Sequence, residues 1–98
     1  MPGNRAPFTV RYHPAVRDED IPRLSKAIRQ RIRKAIEQRL TTSPHEYGQP
    51  LRKTLKGYWK LRVGDYRVVY RVEKKTVVVL GIRHRKDVYE EITERKSK

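Results

Sequence analysis

The chain has 98 residues, enough for one domain with a modest core, and it lacks cysteine, which excludes disulfides and thiolate metal sites. No apolar run approaches the roughly 18 residues that a membrane span requires. Lys and Arg total 25 against 11 Asp and Glu, so the formal net charge is +14; this favours a polyanionic partner, with nucleic acid ahead of an acidic protein or an anionic membrane.

The N-terminal part of the sequence predicts a strand and then a helix start. Residues 1–7 hold two prolines and a glycine, so we expect them to be disordered. No apolar stretch of signal-peptide type follows, which favours a cytoplasmic protein. The segment Phe8–Tyr12 alternates apolar and polar residues, as in a short strand. The acidic run Asp18–Asp20 before Pro22 predicts the start of a helix, and a short helical piece can precede it.

Apolar side chains then recur at helical spacing and predict one amphipathic helix with a basic outer face. The stripe consists of Leu24, Ala27, Ile28, Ile32, Ala35, Ile36 and Leu40. The segment Thr41–Pro44 is predicted to end this helix. Residues 44–57 contain two prolines and two glycines, which is typical of a loop.

A glycine-first turn, Gly64–Asp65, is predicted to join strands over Tyr58–Val63 and Tyr66–Val72. The register that this turn sets makes every pair on one face apolar or aromatic. The pairs are Val63 with Tyr66, Leu61 with Val68 and Trp59 with Tyr70. Turn and pattern therefore agree on a hairpin with one core face.

The C-terminal part predicts a third strand over Val77–Ile82, covered on both faces, and a short helix that Asp87 caps and that includes Tyr89. Residues 94–98 are expected to be a flexible tail. The chain thus has an α+β fold in a single domain over residues 8–93. Its order is an N-terminal strand, one or two helices, a three-stranded antiparallel meander and a short C-terminal helix, with helices on one sheet face.

The hairpin register gathers basic side chains on the face opposite the core. This face carries Tyr58, Lys60, Arg62, Arg67, Val69 and Arg71. Arg62 lies opposite Arg67, and like charges in that position destabilise a sheet by roughly a few tenths of a kcal/mol. A bound phosphate would turn this repulsion into attraction. Basic groups interleaved with aromatic ones suit RNA, although a patch that only docks an acidic partner would share this pattern.

The third strand runs into further basic residues whose face depends on the preceding turn. A three-residue loop, Lys74–Thr76, would set Arg83 beside Arg67, whereas a two-residue loop would turn His84 to that face. We prefer the longer loop and keep the shorter one open. The three histidines lack the spacing of metal ligands and have no carboxylates clustered near them, so no metal site is predicted.

An ordered set of motifs carries a resemblance to a known family. The set is Asp20–Leu24, Leu51-Arg52, Tyr58–Arg62, Gly64–Val72, Val77–Ile82 and His84–Tyr89. In order and spacing it resembles the RelE/ParE superfamily of bacterial toxins over residues 8–93. The resemblance implies a microbial-RNase-like fold and a toxin of a type II toxin–antitoxin pair.

The same resemblance implies an activity and partners. Toxins similar to RelE cut mRNA in the ribosomal 30S A site, where the 2′-hydroxyl attacks the adjacent phosphorus without a metal or small-molecule cofactor. The expected partners are therefore a cognate antitoxin and mRNA on the ribosome, in the cytoplasm and not at a membrane. The alternative on the same fold is a non-enzymatic ParE-type toxin that inhibits DNA gyrase, and a non-toxic binding relic is a third reading.

Site residues follow from the resemblance by position. Those implied to be catalytic are Lys60, the phosphate-binding Arg67, a further arginine Arg83 and the substrate-orienting Tyr89. Those expected to help in RNA binding are Arg62, His84, Arg85, Tyr58 and Arg71. RelE has a second catalytic lysine two positions before the first, and here that position is Tyr58. The general base is therefore expected to be Lys60 or His84.

Overall fold

The structure is a computed structural model that describes residues 8–87 and 89–96, and within these residues five strands form one sheet. The strands are β1 (Thr9–Tyr12), β2 (Gln49–Pro50), β3 (Trp59–Val63), β4 (Tyr66–Glu73) and β5 (Thr76–His84). Their order across the sheet is β1-β5-β4-β3-β2, with β1 parallel to β5 and the other pairs antiparallel. The predicted disorder of residues 1–7 lies outside the described residues.

The helices lie before, between and after the strands. They are a π-helical turn (Val16–Asp20) that continues into a 3-10 turn (Ile21–Arg23), α1 (Lys26–Ala35) that continues into a second π-helical turn (Ile36–Leu40), α2 (Pro44–Tyr47), a 3-10 turn (Lys53–Leu55) and α3 (Glu90–Arg95). None of the helices in the described residues has the length and apolar character that crossing a bilayer requires. The predicted α+β class and its helix and meander order are confirmed.

The predicted hairpin register is confirmed pair by pair. Trp59 lies opposite Tyr70, Leu61 opposite Val68 and Val63 opposite Tyr66. These side chains pack with the buried face of α1 in the main core, which includes Ile32, Ile36 and Leu40. Burying one face of each strand fixes the register, since a slip by one residue would expose the whole apolar set.

The turn between β4 and β5 corrects one expectation and keeps its consequence. Glu73 lies opposite Thr76, so the loop has two residues rather than the preferred three. A β-bulge then shifts the register between Val69 and Tyr70, and Arg83 again lies opposite Arg67. An inserted residue of this kind compensates for the missing loop residue. A two-residue loop without a bulge would have turned His84 to the face of Lys60. The bulge turns His84 to the opposite face, where its ring contacts Tyr66.

Two further expectations are corrected by local chemistry. The acidic run that was predicted to start the long helix lies within an earlier helical segment that continues to Arg23. α1 starts after Ser25, whose hydroxyl accepts a hydrogen bond from the Ile28 N–H at 3.2 Å. A serine at this position satisfies an otherwise unpaired backbone donor.

Residues 44–57 are more than a loop, because β2 extends the sheet by pairing with β3.

The C-terminal helix also differs from its prediction. α3 starts at Glu90, so Asp87 does not cap it, and Tyr89 is the residue at its N-terminus. The helix runs into the segment that was expected to be a flexible tail, where Arg95 is buried. α3 covers the sheet face away from α1, and Ile92 packs there with Leu55. A second, smaller core therefore occupies part of the face that the sequence left open.

A basic pocket on the sheet as candidate functional site

The cations of β3 and β4 meet in a small pocket on the sheet face away from α1. Lys60 and Arg62 come from β3, and Arg67 comes from β4, with Arg62 directly opposite Arg67. Together with Tyr47 and Gln49 they line a cavity of about 140 Å³. The alternation of side chains along each strand produces this grouping, since the intervening residues point into the main core.

We call the three cations of this pocket the cation cluster. Within residues 8–87 and 89–96, no ion pair joins a carboxylate to Lys60, Arg62 or Arg67. The Nη1 atom of Arg67 donates instead to the carbonyl oxygens of Gly64 and Tyr66, at 3.1 and 3.0 Å. These bonds orient the guanidinium, and no carboxylate in the described part of the chain forms an ion pair with it. The chemistry of such a cluster suits an anion such as a phosphate group.

Two tyrosines that the sequence predicted near the site belong to the second core. Tyr58 and Tyr89 pack against that core, which contains Val69 and Ile92. Burial raises the pKa of the Tyr89 hydroxyl, and the nearby positive charge of Arg67 opposes this increase. Tyr89 is therefore a neutral hydrogen-bond donor within electrostatic reach of Arg67. The structure brings together Lys60 and Arg67, with Tyr89 near the arginine.

Arg83 shares this face but is held away from solvent. It lies opposite Arg67 in the sheet, yet it is only 5% exposed. Its Nη1 atom donates to Asp20 Oδ1 at 2.6 Å and its Nη2 atom to Glu91 Oε1 at 2.5 Å. The expected grouping of Arg83 with the free cations is therefore corrected, because two carboxylates neutralise it.

Asp20, which was predicted at a helix start and within the first family motif, is at the centre of a buried charge network. Its Oδ2 atom accepts from the Ile82 N–H at 2.9 Å and from Arg95 Nη1 at 2.8 Å, and its Oδ1 atom accepts from Arg83. Burial alone would raise the pKa of Asp20, but hydrogen bonds from Arg95, Ile82 and Arg83 bring it below its usual value. The signal available in the sequence is the four-residue spacing of Val16, Asp20 and Leu24, which puts an acid on an apolar stripe.

His84 lies on the opposite side of the sheet from Lys60. It pairs with Tyr66, whose ring centroid is 5.3 Å from that of the imidazole, and Tyr66 packs on the main core. The Nδ1 atom of His84 accepts from the Lys86 N–H at 3.2 Å. Of the two expected candidates for the general base, only Lys60 lies within the cation cluster.

The two remaining arginines have exposed acidic neighbours. Arg85 Nε lies 3.3 Å from Asp65 Oδ1, and Arg71 pairs with Glu73. Surface pairs of this kind contribute about 0–1 kcal/mol and are easily exchanged for another anion. Neither Arg71 nor Arg85 lines the pocket that holds the cation cluster.

Comparison with known proteins places this geometry in context. A family model described as the ParE toxin of the type II toxin–antitoxin system matches residues 10–89. The toxin RelG of Mycobacterium tuberculosis is 36% identical over 85 residues, which cover 85% of this chain and 97% of that protein. The toxin RelE of the same organism is 37% identical over 65 residues, or 63% of this chain and 67% of that protein.

The structure also resembles chains of solved toxin–antitoxin complexes. A chain of the RelBE2 toxin–antitoxin complex from Mycobacterium tuberculosis superposes with a TM-score of 0.75 at 34% identity, covering 80% of this chain and 98% of that chain. A chain of the RelE–RelB complex from the archaeon Pyrococcus horikoshii has a TM-score of 0.63 at 24% identity, covering 83% and 98%. The second likeness concerns the fold alone, because its identity is low.

Proposed function

The chain belongs to the RelE/ParE superfamily of toxins from type II toxin–antitoxin systems, and from this premise we propose that it is an endoribonuclease that cuts mRNA in the ribosomal A site without a metal. The cation cluster of Lys60, Arg62 and Arg67 carries the proposal. Folding gains nothing from cations that face each other without carboxylates, whereas a phosphodiester would turn their repulsion into attraction. The protein then acts in the cytoplasm, where its substrate is.

The reaction that such a cluster suits is transesterification at phosphorus. The 2′-hydroxyl of one nucleotide loses its proton and bonds to the adjacent phosphorus, while the bond from phosphorus to the next 5′-oxygen breaks. That oxygen takes up a proton, so the products are a 2′,3′-cyclic phosphate and a 5′-hydroxyl. The charge that develops on the phosphorane oxygens is what fixed donors in a water-poor site stabilise.

Each residue of the site has a role in this scheme. Arg67 neutralises the phosphorane oxygens with a guanidinium that two backbone carbonyls already orient. Lys60 exchanges the proton of the 2′-hydroxyl, as the candidate base within the cation cluster. Tyr89 offers a neutral hydroxyl and a ring beside Arg67. Arg83 has an indirect role in the scheme, because its guanidinium is already paired with Asp20 and Glu91.

Brief induction of the chain in a bacterial host, followed by mapping of transcript 5′-ends, tests the activity. We expect new 5′-hydroxyl ends within coding regions as translation stops, because the cleavage frees that group. The Arg67→Ala variant supplies the control. Intact transcripts together with arrested growth would contradict the proposal.

The second candidate function is inhibition of DNA gyrase without catalysis. It is favoured by the family match, whose description names ParE. The relatives named RelE and RelG and the unpaired Lys60 and Arg67 favour the nuclease. A DNA-damage response in cells with intact mRNA, and loss of supercoiling activity by purified gyrase, would select this candidate instead.

A cognate antitoxin is the expected protein partner, since the similar solved structures are toxin–antitoxin complexes. We propose that an acidic amphipathic antitoxin segment binds a groove of about 400 Å³ beside α1. Apolar side chains such as Ile21 and Ile32 line the groove, and Arg29 and Arg33 lie on it as well. Apolar burial would hold the segment, and the arginines would select its charge.

Reversing two charges tests this binding site. The double change Arg29→Glu and Arg33→Glu is expected to weaken binding of the adjacent gene's product by at least about ten-fold at low salt, because both attractions become repulsions. Isothermal titration calorimetry measures the affinity. Lys74→Asp, in the turn at the far end of β5 from Ile82, is the control and should bind normally. An unchanged chain without affinity, or a double variant that binds as tightly as the unchanged chain, would refute this site.

A further inference from the structure

Tyr47 places an aromatic ring in solvent beside the cation cluster. Tyr47 is 53% exposed, whereas the other large hydrophobic residues that the structure describes are buried or partly buried. It is the last residue of α2 and lines the pocket with Lys60 and Arg67. A single exposed aromatic is ordinary by itself. Its position on the wall of a phosphate-binding pocket gives it a chemical use, because RNA supplies flat bases next to phosphates.

The ring is carried by a segment that the core holds in place. The hydroxyl of Tyr70, a fully buried residue, donates to the Pro44 carbonyl oxygen at 2.6 Å. Burial raises the pKa of Tyr70 to about 12, so this hydroxyl remains a donor. Gly48, the residue after Tyr47, packs closely against the same side chain: a Cβ at this position would lie 1.8 Å from the Tyr70 hydroxyl oxygen. The ring of Tyr47 is therefore mounted on a fixed backbone before any ligand binds.

A second cationic pocket lies on the other side of Arg62. It has a volume of about 440 Å³, and Arg62 belongs to the linings of both pockets. Its other basic residues are Arg31, Lys34 and Arg39. The Arg39 Cζ atom lies 5.9 Å from the centroid of the Tyr47 ring. Tyr47 and Arg62 thus lie between the cation cluster and a further set of positive charges.

We propose that Tyr47 stacks on the base of a nucleotide next to the scissile phosphate, and that the second pocket receives a neighbouring phosphate of the same strand. The inference rests on the proposed function and extends it by a subsite for single-stranded RNA. Stacking on an aromatic ring tolerates any base, because every base has a π face. The subsite therefore holds and aligns the strand, and Tyr47 is a positioning residue outside the bond-breaking step.

Binding of uncleavable RNA tests the subsite. The probe is a short oligoribonucleotide with 2′-O-methyl groups, which removes the attacking hydroxyl, and fluorescence anisotropy measures its affinity. Abasic sites are introduced one at a time along the probe. We expect Tyr47→Ala to weaken binding of the intact probe about ten-fold. One abasic position should weaken the unchanged chain equally, and the two changes combined should cost little more than either alone.

Tyr47→Phe keeps the ring and should keep the affinity, so it serves as the matched control. Arg31→Ala with Lys34→Ala should reduce the slope of log affinity against log salt by about 0.7, the value for one phosphate of a single strand that is no longer neutralised. A Tyr47→Ala variant that binds every probe normally, or an effect that simply adds to that of each abasic site, would overturn the subsite. A Tyr47→Ala defect confined to antitoxin binding would show a protein interface instead.

These results are separable from those for the proposed function. If Arg67→Ala stops transcript cleavage and Tyr47→Ala shows no coupling to any base, the subsite fails while the nuclease stands. If the chain cleaves nothing but the coupling is present, the RNA subsite stands without catalysis. If no probe binds, the subsite is refuted whatever the transcripts show.

Discussion

Replacing Arg67 by alanine is expected to lower the rate of transcript cleavage by about 10²- to 10³-fold, the usual cost of removing one oriented donor from a developing oxyanion. Arg67 combines an uncompensated charge with a guanidinium fixed by the Gly64 and Tyr66 carbonyls. Its partner across the hairpin, Arg62, is more exposed to solvent. The loss should therefore exceed that of Arg62→Ala.

Quantitative 5′-end mapping after induction measures the effect, with growth arrest as a second readout. Lys74→Asn is the matched control, because it removes one positive charge at the other end of β4 and suits the positive φ of 55° at that turn. It should cleave normally. Unaltered cleavage by a chain that lacks both Arg67 and Lys60 would show that the cation cluster is not the catalytic site.

A combined Lys60→Ala and Arg67→Ala chain should be only slightly less active than the worse single variant. Groups that act on one transition state lose their effects together, so their costs do not add. Independent roles, such as one residue binding the ribosome and the other the phosphate, would instead give multiplied losses. The comparison therefore tests whether the cation cluster works as a unit.

The part of the site that the sequence predicted depends on local geometry. The Gly64–Asp65 turn and the apolar pairs around it determine one register, and that register alone brings Lys60, Arg62 and Arg67 to one face. The placement of Arg83 opposite Arg67 was expected from a longer loop, and it arises from a shorter loop and a bulge. The shorter loop and the bulge offset each other in the register. The sequence could not predict the bulge, because an unbroken apolar run shows no alternation that an inserted residue would interrupt.

The parts that were missed depend on contacts between distant segments. Arg83 is neutralised by a residue 63 positions earlier, and Arg95 reaches the same carboxylate across 75 positions. Periodicity and capping describe neighbours in sequence, so they cannot say which of 25 basic residues meets a buried acid. Tyr47 was hidden likewise, because its place on the pocket depends on the pairing of β2 with β3.

The network around Asp20 joins three separate parts of the chain. It links the helical segment before α1, β5 through the Ile82 N–H, and α3 through Arg95. α3 in turn begins beside Tyr89, which borders Arg67. A buried carboxylate thus helps to determine how α3, which begins next to Tyr89, lies on the sheet. Arg83, which lies opposite Arg67 in the sheet, shares this carboxylate and belongs to the same network.

Replacing Asp20 by asparagine is accordingly expected to lower the free energy of unfolding by roughly 3–5 kcal/mol, the cost of leaving buried charges without their partner. Both Arg83 and Arg95 lose their shared carboxylate, although Glu91 still pairs with Arg83. Urea denaturation followed by circular dichroism measures the change. Glu19→Gln is the control: that side chain is 57% exposed and 3.4 Å from Arg95. It should cost no more than about 1 kcal/mol.

The pH dependence gives the same network an independent signature. The hydrogen bonds to Asp20 hold its pKa in the folded chain below the ordinary value. A depressed carboxyl pKa means that the stabilisation is complete above about pH 4, the unfolded value, and is lost as the pH falls through the folded value. The unchanged chain should therefore lose stability in acid more steeply than Asp20→Asn.

If that variant does not fold, adding Arg95→Met should restore part of the stability by removing a buried charge. Equal acid sensitivity of the two chains, or no recovery on adding Arg95→Met to an unfolded variant, would show that Asp20 does not hold the network together.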